Sequence, residues 1–119
     1  MTRRPEKLFQ STEEDLMAKI TKKEKSDALY QAILTMKTEE EVYNFFQDLC
    51  TVTELRAMEQ RFEVATLLQQ GMIYNNILER TGASSATISR VNRSLSFGHG
   101  GYQLFFDRAE AQKHPEEEQ

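Results

Sequence analysis

Hydroxyl side chains and arginines occur together along Gly82–Leu95, a stretch that carries no carboxylate. Short hydroxyl side chains at the start of a helix let its backbone approach the major groove closely enough for hydrogen bonds to base edges. Arginines on the same helix can bind phosphate oxygens, which positions a protein on a duplex without specifying the sequence. This combination of residue types predicts contact with double-stranded DNA.

The other reactive residues form no arrangement suited to catalysis. Cys50 is the only cysteine, and His99 and His114 have no cysteine or carboxylate at metal-ligand spacing. The glycine-rich loop at Gly98–Gly101 lacks the preceding strand and the Lys-Ser/Thr ending of a nucleotide-binding loop. We therefore predict no enzyme activity, no metal and no cofactor.

The stretch Tyr74–Arg93 has the length of a helix-turn-helix, with a first helix of about eight residues, a glycine and a second helix of about ten. Gly82 fits the positive backbone angle of such a turn, whereas Thr81 stands where a larger aliphatic residue is usual. The positions predicted to be buried between the helices are Ile77, Ala83, Ile88 and Val91. The alternative is an ordinary helical hairpin whose serines and threonines serve capping and solubility.

The predicted DNA contacts lie on both helices of this stretch: Asn75, Asn76, Ser84, Ser85, Ala86, Thr87, Ser89, Arg90 and Arg93. Ser84 is the expected N-cap, which leaves neighbouring amides and the helix dipole available to a phosphate. Arg90 and Arg93, with the two asparagines, are the expected phosphate contacts. Ser85 and Ser89 face away from the predicted buried side, where they can contact base edges.

The rest of the chain predicts further helices, and the expected fold class is all-α. Apolar residues recur at helical spacing in Leu29–Met36, and Thr38 begins a capping-box pattern for the next helix. Thr53 is the expected cap of a third, longer helix, which ends at Gly71 and whose apolar stripe is too wide for a lone surface helix. A last short helix is expected over Tyr102–Ala111.

The length of 119 residues and the hydrophobic fraction of 39% suit one globular domain. We predict a flexible arm over 1–11, a single helical domain over 12–111 with its helix-turn-helix at about 74–95, and an acidic disordered tail over 112–119. The sequence shows no secretory signal and no membrane-spanning run, so we expect a cytoplasmic protein without a membrane partner.

The net charge of −4 has the wrong sign for a partner that is a polyanion. Its distribution changes that conclusion. Carboxylates outnumber basic residues in 12–63 and in 109–119, whereas 82–95 and the first ten residues are net basic. Positive charge is therefore available where a DNA contact needs it.

The run Ser84–Arg90 resembles the recognition helix of many bacterial repressors, including the lactose-repressor type. A longer stretch, Ala28–Leu95, is similar to the Trp repressor family, and more narrowly to its YerC/YecD-type members. The similarity rests on the segment TELRAMEQRFEVATLL that begins at Thr53, the break at Gly71, and GASSATISRVNRSL from Gly82. It implies an intertwined homodimer whose N-terminal helices interlace and whose recognition helices lie about one DNA turn apart on a palindromic operator.

The resemblance also implies an effector pocket, because the Trp repressor holds the indole of its corepressor between two arginines. The matching positions in this sequence are Arg61, Arg90, Thr87 and Ser94. The residue after the second arginine is a glycine in the repressor and Val91 here, and its bulk should crowd the pocket, which argues against tryptophan. Alternative roles are an ion pair with Glu54 or Glu59 of its own helix for Arg61 and a phosphate contact for Arg90.

The leading hypothesis is a sequence-specific DNA-binding transcriptional regulator, a repressor that occupies a palindromic operator as a homodimer, with a small-molecule effector as a further partner. The alternative is a helical protein-association module whose DNA-binding part is weak or vestigial.

Overall fold

The computed structural model of the chain describes residues 26–113. Within them lie six helices: α1 (Asp27–Leu34), α2 (Glu39–Leu49), α3 (Val52–Gln69), α4 (Tyr74–Thr81), α5 (Ser85–Phe97) and α6 (Gly101–Lys113). No residue of this described part belongs to a strand, so the all-α prediction is confirmed. The predicted arm over 1–11, the helical segment expected over 12–25 and the tail residues 114–119 lie outside the described residues.

The chain divides into two compact units, of which the first ends at Asn44 and the second begins at Phe45. In the first unit, the amide of Glu41 donates a hydrogen bond to the hydroxyl of Thr38 at 3.1 Å, as the capping-box pattern predicts. The carboxylate of Glu41 accepts from the amide of Lys37 at 2.8 Å instead of from Thr38. Both side chains thus satisfy amides at the start of α2.

Helix α3 begins two residues earlier than its sequence pattern suggested. Thr51 is the N-cap: its hydroxyl accepts from the amide of Glu54 at 3.1 Å, and the Glu54 carboxylate accepts from the amide of Thr51 at 2.8 Å. The prediction of Thr53 as the cap is therefore wrong. A glutamate three residues after the cap completes the box, and Glu54 has that spacing from Thr51 but not from Thr53.

The core of the second unit lies where α3, α4 and α5 pack together. Its buried side chains come from all three helices and from the turn between α4 and α5: Val64, Ala65, Leu67, Ile77, Ala83, Ile88 and Val91. The four positions predicted to be buried inside the helix-turn-helix are among them, so that prediction is confirmed. The core is small, and it anchors the second helix of the pair on α3.

Helix α6 adds an aromatic cluster to the edge of this core. The rings of Tyr102, Phe105 and Phe106 contact one another or the ring of Phe62 on α3, with centroid distances between 5.3 and 6.5 Å. The helix runs two residues past its predicted end at Ala111, to Lys113, whose positive charge suits the last turn of a helix. None of the helices within 26–113 has the length and apolar character that a membrane span requires.

Candidate nucleic-acid interface

The turn between α4 and α5 is built on a glycine with a left-handed backbone. Gly82 has φ +74° and ψ +5°, and its amide donates to the carbonyl of Leu78 at 2.9 Å. A residue with a Cβ adopts this backbone only with strain. The sequence-based reason for placing a glycine at the turn is therefore confirmed by the geometry.

Threonine is tolerated at position 81 because its hydroxyl both donates and accepts a hydrogen bond within the turn. The Oγ1 atom donates to the carbonyl of Ile77 at 2.7 Å and accepts from the amide of Ala83 at 3.1 Å. A half-buried hydroxyl with both bonds satisfied carries little penalty for leaving water. Threonine thus replaces the usual aliphatic side chain by closing the turn through hydrogen bonds.

The second helix of the pair starts at a serine cap. The Oγ of Ser84 accepts from the amide of Thr87 at 3.1 Å, and the same hydroxyl lies 3.1 Å from Oγ1 of Thr87. The carbonyl of Ser84 accepts from Ile88 at 3.0 Å, so the first turn of the helix is closed. No acidic residue lies in this first turn. The positive end of the helix dipole is therefore not neutralised by a neighbouring carboxylate.

The outward face of α5 carries the predicted base and phosphate contacts. Ile88 and Val91 are buried, and the side chains around them point to the surface. The exposed residues of this face are Ser85, Ala86, Ser89, Arg90 and Arg93. Thr87 is half-buried and bonded to Ser84, so it is available only in part. The surface is small, hydroxyl-bearing and basic.

The first helix of the pair brings Asn75 and Asn76 to its own N-terminus. Both side chains are exposed. The N-cap position is Ile73, whose side chain makes no cap hydrogen bond. The start of α4 therefore offers two carboxamides beside backbone amides that no side chain caps. Such an arrangement can accept a phosphate.

The residues matched to an effector pocket lie at different depths. Arg61, Arg90 and Ser94 are exposed, and Thr87 is half-buried. Ser94 lines a cavity of about 430 Å³, and neither of the two arginines lines it. Its wall also includes the aromatic or imidazole side chains of Phe62, His99, Tyr102 and Phe105. The four predicted residues do not share this cavity.

The ion pair with Glu59 is made by Arg56, at 2.7 Å, and not by Arg61.

Val91, which follows the second of these arginines, is 2% exposed and belongs to the core. Its side chain fills space beside α3 that a glycine would leave open.

Two features of this region escaped the sequence interpretation. Gln60 on α3 bonds the end of α4, and the aromatic cluster joins α3 to α6. The positions of Phe62, Tyr102, Phe105 and Phe106 in the sequence gave no sign that their rings contact one another. A glutamine within an amphipathic helix gives no signal that separates a solvated side chain from a hydrogen-bonded one.

The glycine turn, the shared core and the exposed, acid-free second helix together define a helix-turn-helix domain. The family model described as Trp repressor protein matches residues 24–110. A Bacillus subtilis (strain 168) protein described as uncharacterized protein YerC is 49% identical over 82 residues, which is 69% of this chain and 79% of that protein. The chain belongs to the Trp repressor family, a family of DNA-binding transcription regulators.

Two solved structures show the same fold. A TrpR-like protein from Eubacterium eligens ATCC 27750 superposes with a TM-score of 0.68 at 51% identity, over 71% of this chain and 87% of that one. A Staphylococcus aureus protein gives a TM-score of 0.68 at 49% identity, over 71% and 84%. The all-α, Trp-repressor-like fold that the resemblance implied for the single chain is therefore confirmed.

Proposed function

We propose that the protein is a transcriptional repressor that binds a palindromic operator as a homodimer. The observation that carries this proposal is the outward face of α5, where exposed hydroxyls and two arginines surround a buried edge formed by Ile88 and Val91. A face of this kind suits the major groove, since its side chains are short near the helix start and basic further along.

The assignment of roles follows from exposure and bonding. Ser85, Ala86 and Ser89 are the proposed base contacts. Arg90, Arg93 and the asparagines Asn75 and Asn76 are the proposed phosphate contacts. Ser84 and Thr87 act mainly as the cap of α5, because their hydroxyls bond each other. The free amides beside that cap form the proposed site for one further phosphate.

The dimer is supported by apolar side chains that a single copy leaves uncovered. Within the described residues, helices α1, α2 and α6 bury no side chain completely. Large exposed apolar residues occur on all three: Tyr30, Leu34, Tyr43, Leu49, Leu104 and Phe105. A second copy can cover such surfaces, and a two-fold axis would place two copies of α5 for the two halves of a palindrome.

Effector binding by Arg61, Thr87, Arg90 and Ser94 stays a prediction. We do not propose tryptophan as the ligand, because Val91, which follows Arg90 in the chain, is a buried core residue where the repressor has a glycine.

The proposal is tested by selecting bound fragments from genomic DNA, with and without added amino acids, and by mobility shifts at moderate salt. We expect a small set of fragments with a common inverted repeat, bound by a species that sediments as a dimer. Equal retention of all fragments would contradict sequence-specific regulation, and would favour the alternative of a protein-association module.

A further inference from the structure

Gln60 lies on α3, outside the helix-turn-helix, and its half-buried side chain reaches the end of α4. Its Nε2 donates a hydrogen bond to the backbone carbonyl of Thr81 at 3.2 Å. Thr81 is the last residue of α4, and the final carbonyls of a helix have no partner inside that helix. The bond spans 21 positions in the chain. It therefore joins the helix-turn-helix to the helix that supports it.

Further hydrogen bonds connect Thr81 to the rest of the turn. Beyond the Thr81 carbonyl, the Thr81 hydroxyl accepts from the amide of Ala83 at 3.1 Å, and Gly82 donates to Leu78 at 2.9 Å. Ser84, the cap of α5, follows directly. A displacement of Thr81 is thus transmitted through two residues to the start of the proposed DNA-contacting helix.

Apolar packing holds that helix against α3, and the hydrogen bond adds a directional constraint to it. The buried side chains between α3 and the helix-turn-helix are all aliphatic, among them the small Ala65 and Ala83. Burial of such surfaces is favourable but not directional. A hydrogen bond requires a particular distance and direction, and a half-buried carbonyl without its donor is penalised.

We propose that Gln60 is a positioning residue for DNA binding, which holds the Thr81 turn against α3 and so sets the angle at which α5 meets the duplex. The inference rests on the proposed function and adds to it a residue that touches no DNA.

The test compares Gln60→Met with Gln69→Met. Both changes replace the amide with an apolar side chain of similar length on the same helix, but Gln69 is exposed at the end of α3. Affinity is measured by fluorescence anisotropy on a fragment selected by the wild-type chain, at a temperature where circular dichroism shows both variants folded. Hydrogen exchange at the amides of Gly82 and Ala83 is measured without DNA.

We expect Gln60→Met to weaken binding by about fivefold for each helix-turn-helix, the factor that one neutral hydrogen bond contributes to an equilibrium. The dependence of affinity on salt should not change, because no phosphate contact is removed. Exchange at Gly82 and Ala83 should become faster. Gln69→Met should match the wild type in all three measurements.

A second pair, Gln60→Glu and Gln69→Glu, keeps the test decisive if the methionine variant does not fold. An ionised carboxylate offers only acceptors, so it also loses the bond, while the paired variant controls for the added charge. Wild-type affinity and exchange in either Gln60 variant would overturn the inference alone. A wild-type chain without fragment preference would overturn the proposed function, and the inference with it.

Discussion

The hydroxyls of Ser84 and Thr87 lie 3.1 Å apart, and the Ser84 oxygen also accepts the amide of Thr87 at the same distance. The two side chains therefore bond within the first turn of α5 and cap it. Their neighbours Ser85 and Ala86 carry no such bond to the cap and are exposed. The hydroxyl-rich start of the helix thus divides into a structural pair and a pair that is free to meet DNA.

Removal of the cap should lower stability. Ser84→Ala leaves the amide of Thr87 without its acceptor, and we expect the free energy of unfolding to fall by about 1 kcal/mol. Urea unfolding followed by circular dichroism measures the change. Ser96→Ala, an exposed serine late in the same helix, is the matched control and should be nearly neutral. Equal effects of the two substitutions would contradict a capping role for Ser84.

Substitution of Ser84 by aspartate separates the cap from the DNA contact. Aspartate also caps helices well and suits the helix dipole, so Ser84→Asp should retain wild-type stability. Its negative charge should nevertheless weaken DNA binding, because it faces the phosphate proposed to bind at this helix start. Mobility shifts and urea unfolding on the same preparation measure both quantities. Undiminished DNA affinity would place the start of α5 away from the backbone of the duplex.

The turn glycine should resist replacement. Gly82→Ala meets no neighbouring atom within 4 Å, but the φ of +74° places its Cβ in a strained backbone, which costs about 1–2 kcal/mol. Thermal unfolding should show a lower Tm. Gly101→Ala provides the control, since its φ is not in the left-handed region and its Cβ also meets nothing. A Tm for Gly82→Ala at or above that of the control would contradict the strain argument.

The helix-turn-helix could be predicted from the sequence because its signals are local. The glycine at the turn and the apolar positions around Ile77 and Ile88 depend only on residues near in the chain, and each was found where expected. The cap of α3 was misplaced by two residues because Thr51 and Thr53 are equally good caps in isolation. Only the spacing to Glu54 decides between them.

Contacts between distant residues could not be predicted in this way. The bond from Gln60 to Thr81 depends on the angle at which α3 crosses α4, and no periodic pattern encodes that angle. The stacking of Phe62 on Tyr102 could not be predicted either, because the spacing of apolar residues in α6 shows which face is apolar but not what packs against it. Sequence therefore locates helices and faces, and packing determines which polar side chains meet.

Arg93, in the second half of α5, should contribute to DNA affinity through its charge but not to sequence preference. Arg93→Ala is expected to weaken binding to all fragments and to reduce the slope of log affinity against log salt by about one unit. Arg108→Ala, an exposed arginine on α6, is the control and should keep the wild-type slope. Titrations at several salt concentrations give both slopes. An unchanged slope for Arg93→Ala would remove Arg93 from the interface.

The serines of the outward face should govern preference among fragments. Ser85→Ala and Ser89→Ala remove a donor and acceptor from positions proposed to touch base edges, and each should change relative affinity by about 1–3 kcal/mol at the base contacted. Competition between selected fragments that differ at single base pairs measures this. Ser96→Ala again serves as the control. A uniform shift across all fragments would show that these serines contact backbone only.

Because Val91 follows Arg90, we expect that the protein does not bind tryptophan. Any ligand that binds the folded state raises its stability in proportion to the logarithm of its concentration over its Kd. Because Val91 is 2% exposed within the core, we expect no rise in Tm and no change in DNA affinity with tryptophan at millimolar concentration. The chain contains no Trp, so the fluorescence of the added indole reports binding directly. A saturable fluorescence change, accompanied by a higher Tm, would show that the folded protein has room for the indole despite Val91.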